Sequence, residues 1–189
     1  MEETILTEQE IHSLIHELAL QIQRSGNLDH FVMVGIRTGG AFLAQRLKAK
    51  LMELASVDVP TGVIDITLYR DDWTRISSTP IVGTTELPFS LNDADVLLVD
   101  DVIFTGRTIR AAMDALIDFG RPRRIRVAVL VDRGGRELPI LANFVGIHRE
   151  ALPGEMINVY LQEKEGVDRA VVVKADDRSD HRSKPRMAS

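Results

Sequence analysis

Short apolar runs separated by helix-length segments constrain this chain most. FVMV (31–34), VLLV (96–99) and the stretch 125–131 are nearly continuous rather than alternating, as strands buried on both faces are. Residues 63–68 alternate and read as a further strand. Between these runs, residues 7–24, 41–54 and 107–119 carry helical spacing. In the first helix Ile11, Leu14, Ile15, Leu18 and Ile22 share one face, and Thr7 with Glu10 forms a capping box. Ser25-Gly26-Asn27 stops that helix, and Gly120 followed by Pro122 closes the one that begins at Arg107. Strands alternating with helices pair in parallel, which predicts an α/β fold with a central, mostly parallel sheet flanked by helices. Shorter strand-like runs lie at 143–145, 156–161 and 170–173. Residues 69–88 are polar and show no helical period. We expect one domain over residues 1–175 and a disordered polar tail over 176–189.

Composition narrows the classes. A chain of 189 residues with 44% hydrophobic content is long enough to bury a full core. It has no cysteine, which excludes disulfides and thiolate metal sites and fits a reducing compartment. MEETILTEQE is acidic and lacks the basic start and apolar stretch of a secretory signal. No apolar run approaches the ~18 residues that span a bilayer, so a cytoplasmic protein with no membrane partner is expected. The net charge of −5 argues against a broad electrostatic grip on nucleic acid. Arg121, Arg123, Arg124 and Arg126 form a local basic cluster that reads equally well as a solvated helix-to-strand connection.

In open α/β sheets, ligands sit at the carboxyl ends of the strands. Two segments occupy such places here, GIRTGG (35–40) and DDVIFTGRT (100–108). In the second, an apolar strand leads into two adjacent acids, then three apolar residues, then Thr105-Gly106-Arg107-Thr108 opening a helix. Gly106 permits a tight loop, and the amides of a helix start favour a bound phosphate. Thr105 and Thr108 add hydroxyl donors. Asp100 and Asp101, which only accept when ionised, suit the two hydroxyls of a ribose and can also hold Mg²⁺ directly or through water. Phosphate donors beside ribose acceptors describe a ribose 5-phosphate site. A simple helix cap after a buried strand would account for a Thr and a Gly, but not for the paired acids. The chain has neither Gly-x-x-x-x-Gly-Lys-Ser/Thr nor a Gly-x-Gly-x-x-Gly opening a helix, which removes the nucleoside triphosphate P-loop and the dinucleotide fingerprint. His12 and His16 stand four apart on a helix without a third ligand, too little for a metal site.

VLLVDDVIFTGRT (96–108) resembles the signature of type I phosphoribosyltransferases. GIRTGG, IDITLYRDD (64–72), GRTIRAAMDALIDFGRP (106–122) and AVLVDRGGRELPI (128–140) resemble one branch of them, the PyrR family. Its members are pyrimidine operon regulators that are also uracil phosphoribosyltransferases. The resemblance runs over roughly residues 5–173. It implies the type I phosphoribosyltransferase fold, with a flexible lid loop matching residues 69–86 and a small base-binding hood. It implies that uracil and phosphoribosyl pyrophosphate give UMP and pyrophosphate. Phosphoribosyl pyrophosphate would lie against Arg37, Thr38 and Gly39 and against Asp100, Asp101, Val102, Ile103, Phe104, Thr105, Gly106, Arg107 and Thr108. Mg²⁺ would be held at Asp100 and Asp101, and Arg70 would reach the pyrophosphate from the lid. Backbone groups around Val131, Asp132 and Arg133 would read uracil. Arg37, Arg70, Asp100 and Asp101 are the expected catalytic residues. Trp73 is either a lid contact or an oligomer contact, and a homodimer or larger homo-oligomer is implied.

Three departures bear on function. Gly39 stands where many PyrR members carry a second basic residue. Glu17 and Leu20 occupy first-helix positions where regulators carry basic or polar contacts, and Ile147 follows Val145-Gly146 in place of lysine. The first would weaken pyrophosphate binding, with Arg37 remaining, and the other two shift the expectation toward the enzyme. The alternative is a UMP-dependent RNA-binding attenuator acting on a messenger leader, with or without the enzyme activity.

Overall fold

The computed structural model describes residues 2–26, 28–69 and 84–174. Among them, five parallel strands form a sheet in the order β3-β2-β4-β5-β6: β2 (Phe31–Ile36), β3 (Thr61–Ile64), β4 (Asp95–Ile103), β5 (Arg124–Asp132) and β6 (Phe144–His148). Helices α1 (Glu8–Arg24) and α2 (Gly39–Ala55) cover one face, and α3 (Arg107–Phe119) covers the other. The residues of β4 show why its run is apolar throughout. Leu97 and Val99 belong to the core under α1 and α2, whereas Val96 and Leu98 belong to the core under α3. A strand buried on both faces has no polar side to present.

The capping box on α1 is present, with the Thr7 amide on Glu10 Oε2 at 2.8 Å and the Glu10 amide on Thr7 Oγ1 at 3.4 Å. The α1 face buries Ile11, Ile15, Leu18, Ala19 and Ile22, and Leu14 packs against the same core half-buried. Helix α2 begins two residues before the expected start, within the glycine pair itself, and α3 has the expected bounds.

Several expectations change. The alternating run 63–68 is a shorter strand that ends at Ile64, because the Asp65 carboxylate accepts the Thr67 amide at 2.7 Å and turns the chain. Strand β4 does not stop at its acids. It continues through Asp100 and Asp101 to Ile103, since β5 offers partners that far: Asp100 lies opposite Val129, and Ile103 opposite Asp132. The strands at the end of the chain leave the parallel sheet. Strands β7 (Glu155–Tyr160) and β8 (Arg169–Lys174) pair antiparallel and are joined by a strand the sequence did not announce, β1 (Glu2–Leu6), in the order β1-β8-β7. A short helical turn, α4 (Gln162–Glu165), links β7 to β8. This second sheet is the small hood, and Arg133 at the end of β5 donates to the Glu155 carbonyl in it at 3.0 Å.

The hood is tied to the main body through Arg46 on α2. Its guanidinium holds Asp168 at 2.6 and 2.8 Å and Glu163 at 2.8 and 2.6 Å. His12 on α1 lies 3.3 Å from the same Asp168. Burial alone would raise the Asp168 carboxyl, but hydrogen bonds from Arg46 and the Gln162 amide outweigh it and leave it below its ordinary value.

No helix among the described residues is long and apolar enough to cross a membrane. Arg70, Trp73 and the tail 176–189 lie outside the described residues.

Candidate active site

Adjacent strands β2, β4 and β5 bring the three motif segments to one edge of the sheet. The loop after β2 carries Arg37, Thr38 and Gly39, and the Arg37–Thr38 peptide is cis. Arg37 is anchored by its own amide on the Ile64 carbonyl at 3.0 Å, and its Nη2 donates to the Thr84 carbonyl at 2.8 Å. A guanidinium has five N–H groups, so this contact leaves capacity for an anion. Thr38 caps α2 without a side-chain hydrogen bond.

Space requires the second of the two glycines that follow, and the first leaves room for an acid. A Cβ on Gly40 would overlap the Val99 carbonyl oxygen and stand 3.0 Å from Asp100 Cα. A Cβ on Gly39 would overlap the Asp101 carboxylate and stand 2.8 Å from its Cγ. The loop after β2 thus lies directly against the paired acids.

Asp100 is buried, and Asp101 is half-buried beside it. The Asp101 amide donates to Asp100 Oδ1 at 3.0 Å, and the Val102 amide donates to Asp101 Oδ1 at 2.8 Å. Burial pushes the Asp101 carboxyl above its ordinary value, against these hydrogen bonds and the charge of Lys164. A divalent cation would reverse that direction. The donor set fits one, since Asp100 and Asp101 are adjacent carboxylates at the end of a strand. Mg²⁺ held by one or two carboxylates, with substrate phosphates and water supplying the rest, is the usual arrangement.

Beyond the acids, Val102 and Ile103 complete β4, Phe104 is exposed, and Gly106 is the N-cap of α3 at φ +90°. The Thr105 hydroxyl accepts the Arg107 amide at 3.3 Å, and Thr108 lies in the first turn. The first turn of α3 therefore faces the same edge as the acids, as an anion site at a helix start requires.

At the end of β5, Val131 and Asp132 are buried and Arg133 is half-buried. Much of their backbone is engaged. The Arg133 amide donates to the Ile103 carbonyl at 3.1 Å, and the Asp132 carbonyl accepts the Arg149 amide at 2.9 Å. The Arg133 guanidinium stacks on the Phe104 ring, 3.6 Å from its centroid. Its burial lowers the Arg133 pKa. Arg136, which the motif reading did not single out, donates to both the Asp132 carboxylate and the Phe104 carbonyl, each at 2.7 Å. An arginine four residues past a strand end gives no periodic signal.

The basic cluster is largely spent on internal contacts. Arg123 and Arg124 both clamp the buried Asp95, at 2.9 and 2.6 Å. Arg126 sits 5.4 Å from the ring centroids of both Phe31 and Phe144 and donates to the Ser25 hydroxyl.

The phosphoribosyl transferase domain model matches residues 1–164. A bifunctional protein PyrR from Syntrophobacter fumaroxidans is 51% identical over 172 residues, covering 90% of this chain and 92% of the relative. The chain belongs to the PyrR family of type I phosphoribosyltransferases. A second PyrR, from Deinococcus radiodurans, is 49% identical over 166 residues, covering 87% of this chain and 91% of the relative. Among solved structures, a hypoxanthine-guanine phosphoribosyltransferase from Bacillus anthracis superposes with a TM-score of 0.69 at 21% identity, over 90% of this chain and 98% of that one. At that identity the likeness establishes the fold. Both expected roles, uracil phosphoribosyltransferase and operon regulator, fit the bifunctional name of the PyrR relatives.

Proposed function

We propose that this protein is a cytoplasmic, homo-oligomeric uracil phosphoribosyltransferase that makes UMP and pyrophosphate from uracil and phosphoribosyl pyrophosphate. One observation carries the reading: Gly39 of the pyrophosphate loop lies against Asp101, beside the 105–108 helix start, so pyrophosphate, ribose and 5-phosphate positions are contiguous.

In this reading Thr105, Gly106, Arg107 and Thr108 hold the 5-phosphate, with Val102, Ile103 and Phe104 forming the wall that leads to it. Asp100 and Asp101 accept the ribose hydroxyls, and Arg37, Thr38 and Gly39 hold pyrophosphate, with Arg70 a further contact. Uracil N1 forms the bond to ribose C1 and gives up its proton, while the bond from C1 to the pyrophosphate oxygen breaks and its electron pair leaves with pyrophosphate. Positive charge develops on the sugar, and Arg37 stabilises the departing anion by charge-assisted hydrogen bonds. Asp100 and Asp101 would hold Mg²⁺, which when bound neutralises charge on the leaving pyrophosphate. Polar groups at Val131, Asp132 and Arg133 orient the base.

The test is a base-specificity assay with phosphoribosyl pyrophosphate and Mg²⁺, comparing uracil, hypoxanthine, guanine and orotate. Turnover of uracil alone supports the reading; turnover of a purine in its place sinks it.

The second reading is a UMP-dependent attenuator that binds a messenger leader, and the bifunctional name of its relatives favours keeping it. Filter binding of the cognate leader, with and without UMP and across salt concentration, separates the two.

A further inference from the structure

The chain segment after β5 holds the phosphate loop as well as the base end of the site. Arg136 is its centre. Its side chain is 16% exposed, and its flat guanidinium meets four acceptors: the Ile140 carbonyl at 2.9 Å, the Phe104 carbonyl at 2.7 Å, the Gly134 carbonyl at 3.4 Å and Asp132 Oδ2 at 2.7 Å. The next two residues continue the contact, since the amides of Glu137 and Leu138 both donate to the Thr105 carbonyl at 3.0 Å. Arg107 closes the set with its Nε on Glu137 Oε2 at 2.7 Å.

The consequence follows from peptide geometry. A trans peptide is planar, with its C=O and N–H pointing in opposite directions. Pinning the Phe104 carbonyl to Arg136 therefore turns the Thr105 N–H away from the 132–140 segment. Pinning the Thr105 carbonyl does the same for the Gly106 N–H. Those amides belong to the turn that opens α3, where a phosphate is held. Meanwhile the other end of the guanidinium fixes Asp132, whose second oxygen accepts the Gly134 amide at 2.9 Å.

The geometry points to Arg136 as a positioning residue that joins the two substrate subsites, aiming the amides of the 5-phosphate loop while fixing the end of β5 where the base is read. This rests on the functional reading above. In this arrangement Arg136 acts through the Phe104 carbonyl and the Asp132 carboxylate. Lysine cannot replace it, because one ammonium does not span coplanar acceptors in opposite directions.

Calorimetric titration with ribose 5-phosphate, which has neither base nor pyrophosphate, tests the idea. In Arg136→Gln the affinity is expected to fall about tenfold or more, with Arg136→Lys recovering only part of it. KM for phosphoribosyl pyrophosphate and for uracil rise together, while kcat changes less and the melting curve keeps its cooperativity. Asp132→Asn keeps the Phe104 contact but removes the charge that orients the guanidinium. It is expected to weaken ribose 5-phosphate as well, although residue 132 lies on the base side. If all three variants bind ribose 5-phosphate like the wild type and only the uracil KM moves, Arg136 serves the base segment alone and the inference is overturned. Should Arg136→Gln fail to fold, Asp132→Asn decides by the same criterion. A wild-type protein that binds ribose 5-phosphate yet makes no UMP would remove the functional reading and leave the positioning result to the binding data.

Discussion

Gly39, the first residue of α2, lies so close to Asp101 on β4 that a Cβ at position 39 would overlap the carboxylate as it stands. A glycine that stands where relatives carry a basic residue thus keeps the acid in place. Gly39→Ala should displace Asp101 while leaving the core untouched. The expected outcome is a rise of about tenfold or more in KM for phosphoribosyl pyrophosphate, equivalent to roughly 1.4 kcal/mol, with a melting temperature within a few degrees of wild type. Steady-state kinetics beside a thermal melt check it; an unchanged KM would show that Asp101 has room to move.

In the proposed function, Arg37 and Asp101 address different parts of the same substrate. Asp101→Asn combined with Arg37→Ala should abolish UMP synthesis, because ribose fixation and leaving-group stabilisation are removed together. The measurement is product formation from uracil at saturating phosphoribosyl pyrophosphate. A fully active double variant would refute the site.

In the proposed function, Mg²⁺ is held by a pair of carboxylates together with substrate phosphates, so its binding depends on substrate. EDTA should silence turnover, and added Mg²⁺ should restore it without any change in the thermal melt of the substrate-free protein. Full activity in excess EDTA would remove the metal from the scheme.

Asp95 sits buried at the start of β4 and governs acid stability. The Arg123 hydrogen bond lowers its pKa from 3.8 to about 2, burial opposing and Arg124 adding to the shift. The folded value lies below the unfolded one, so its contribution is present above about pH 4 and is lost as pH falls toward 2. Urea midpoints between pH 5 and pH 2 should therefore fall less steeply for Asp95→Asn than for wild type. Equal slopes would mean the clamp contributes nothing. Asp168 and Glu163, both lowered with help from Arg46, set the remaining slope.

Most of the fold was legible in the chain because its causes are local. Continuous apolar runs, the Thr7–Glu10 capping box and the Gly120 stop each depend on neighbours a few residues away. The turn that opens α3 was legible for the same reason, since Thr105 to Thr108 follow one another in the chain. The extra length of β4 was not, because it depends on how far β5 runs beside it. Nor was β1, an unremarkable acidic stretch made into a strand by the open edge of β8. The acid that Arg123 and Arg124 clamp was not legible for a related reason: both stay more than half exposed, and Asp95 lies on another strand.

By itself, then, the sequence determined the strand and helix alternation and the family, because these rest on residue type and short spacing. Tertiary structure decided how the segments meet. The close approach of Gly39 to Asp101 and the span of Arg136 from Phe104 to Asp132 join residues far apart in the chain. Such contacts leave no periodic trace in a chain, since hydrogen bonds and van der Waals overlap depend on distance in space and not on separation along the backbone.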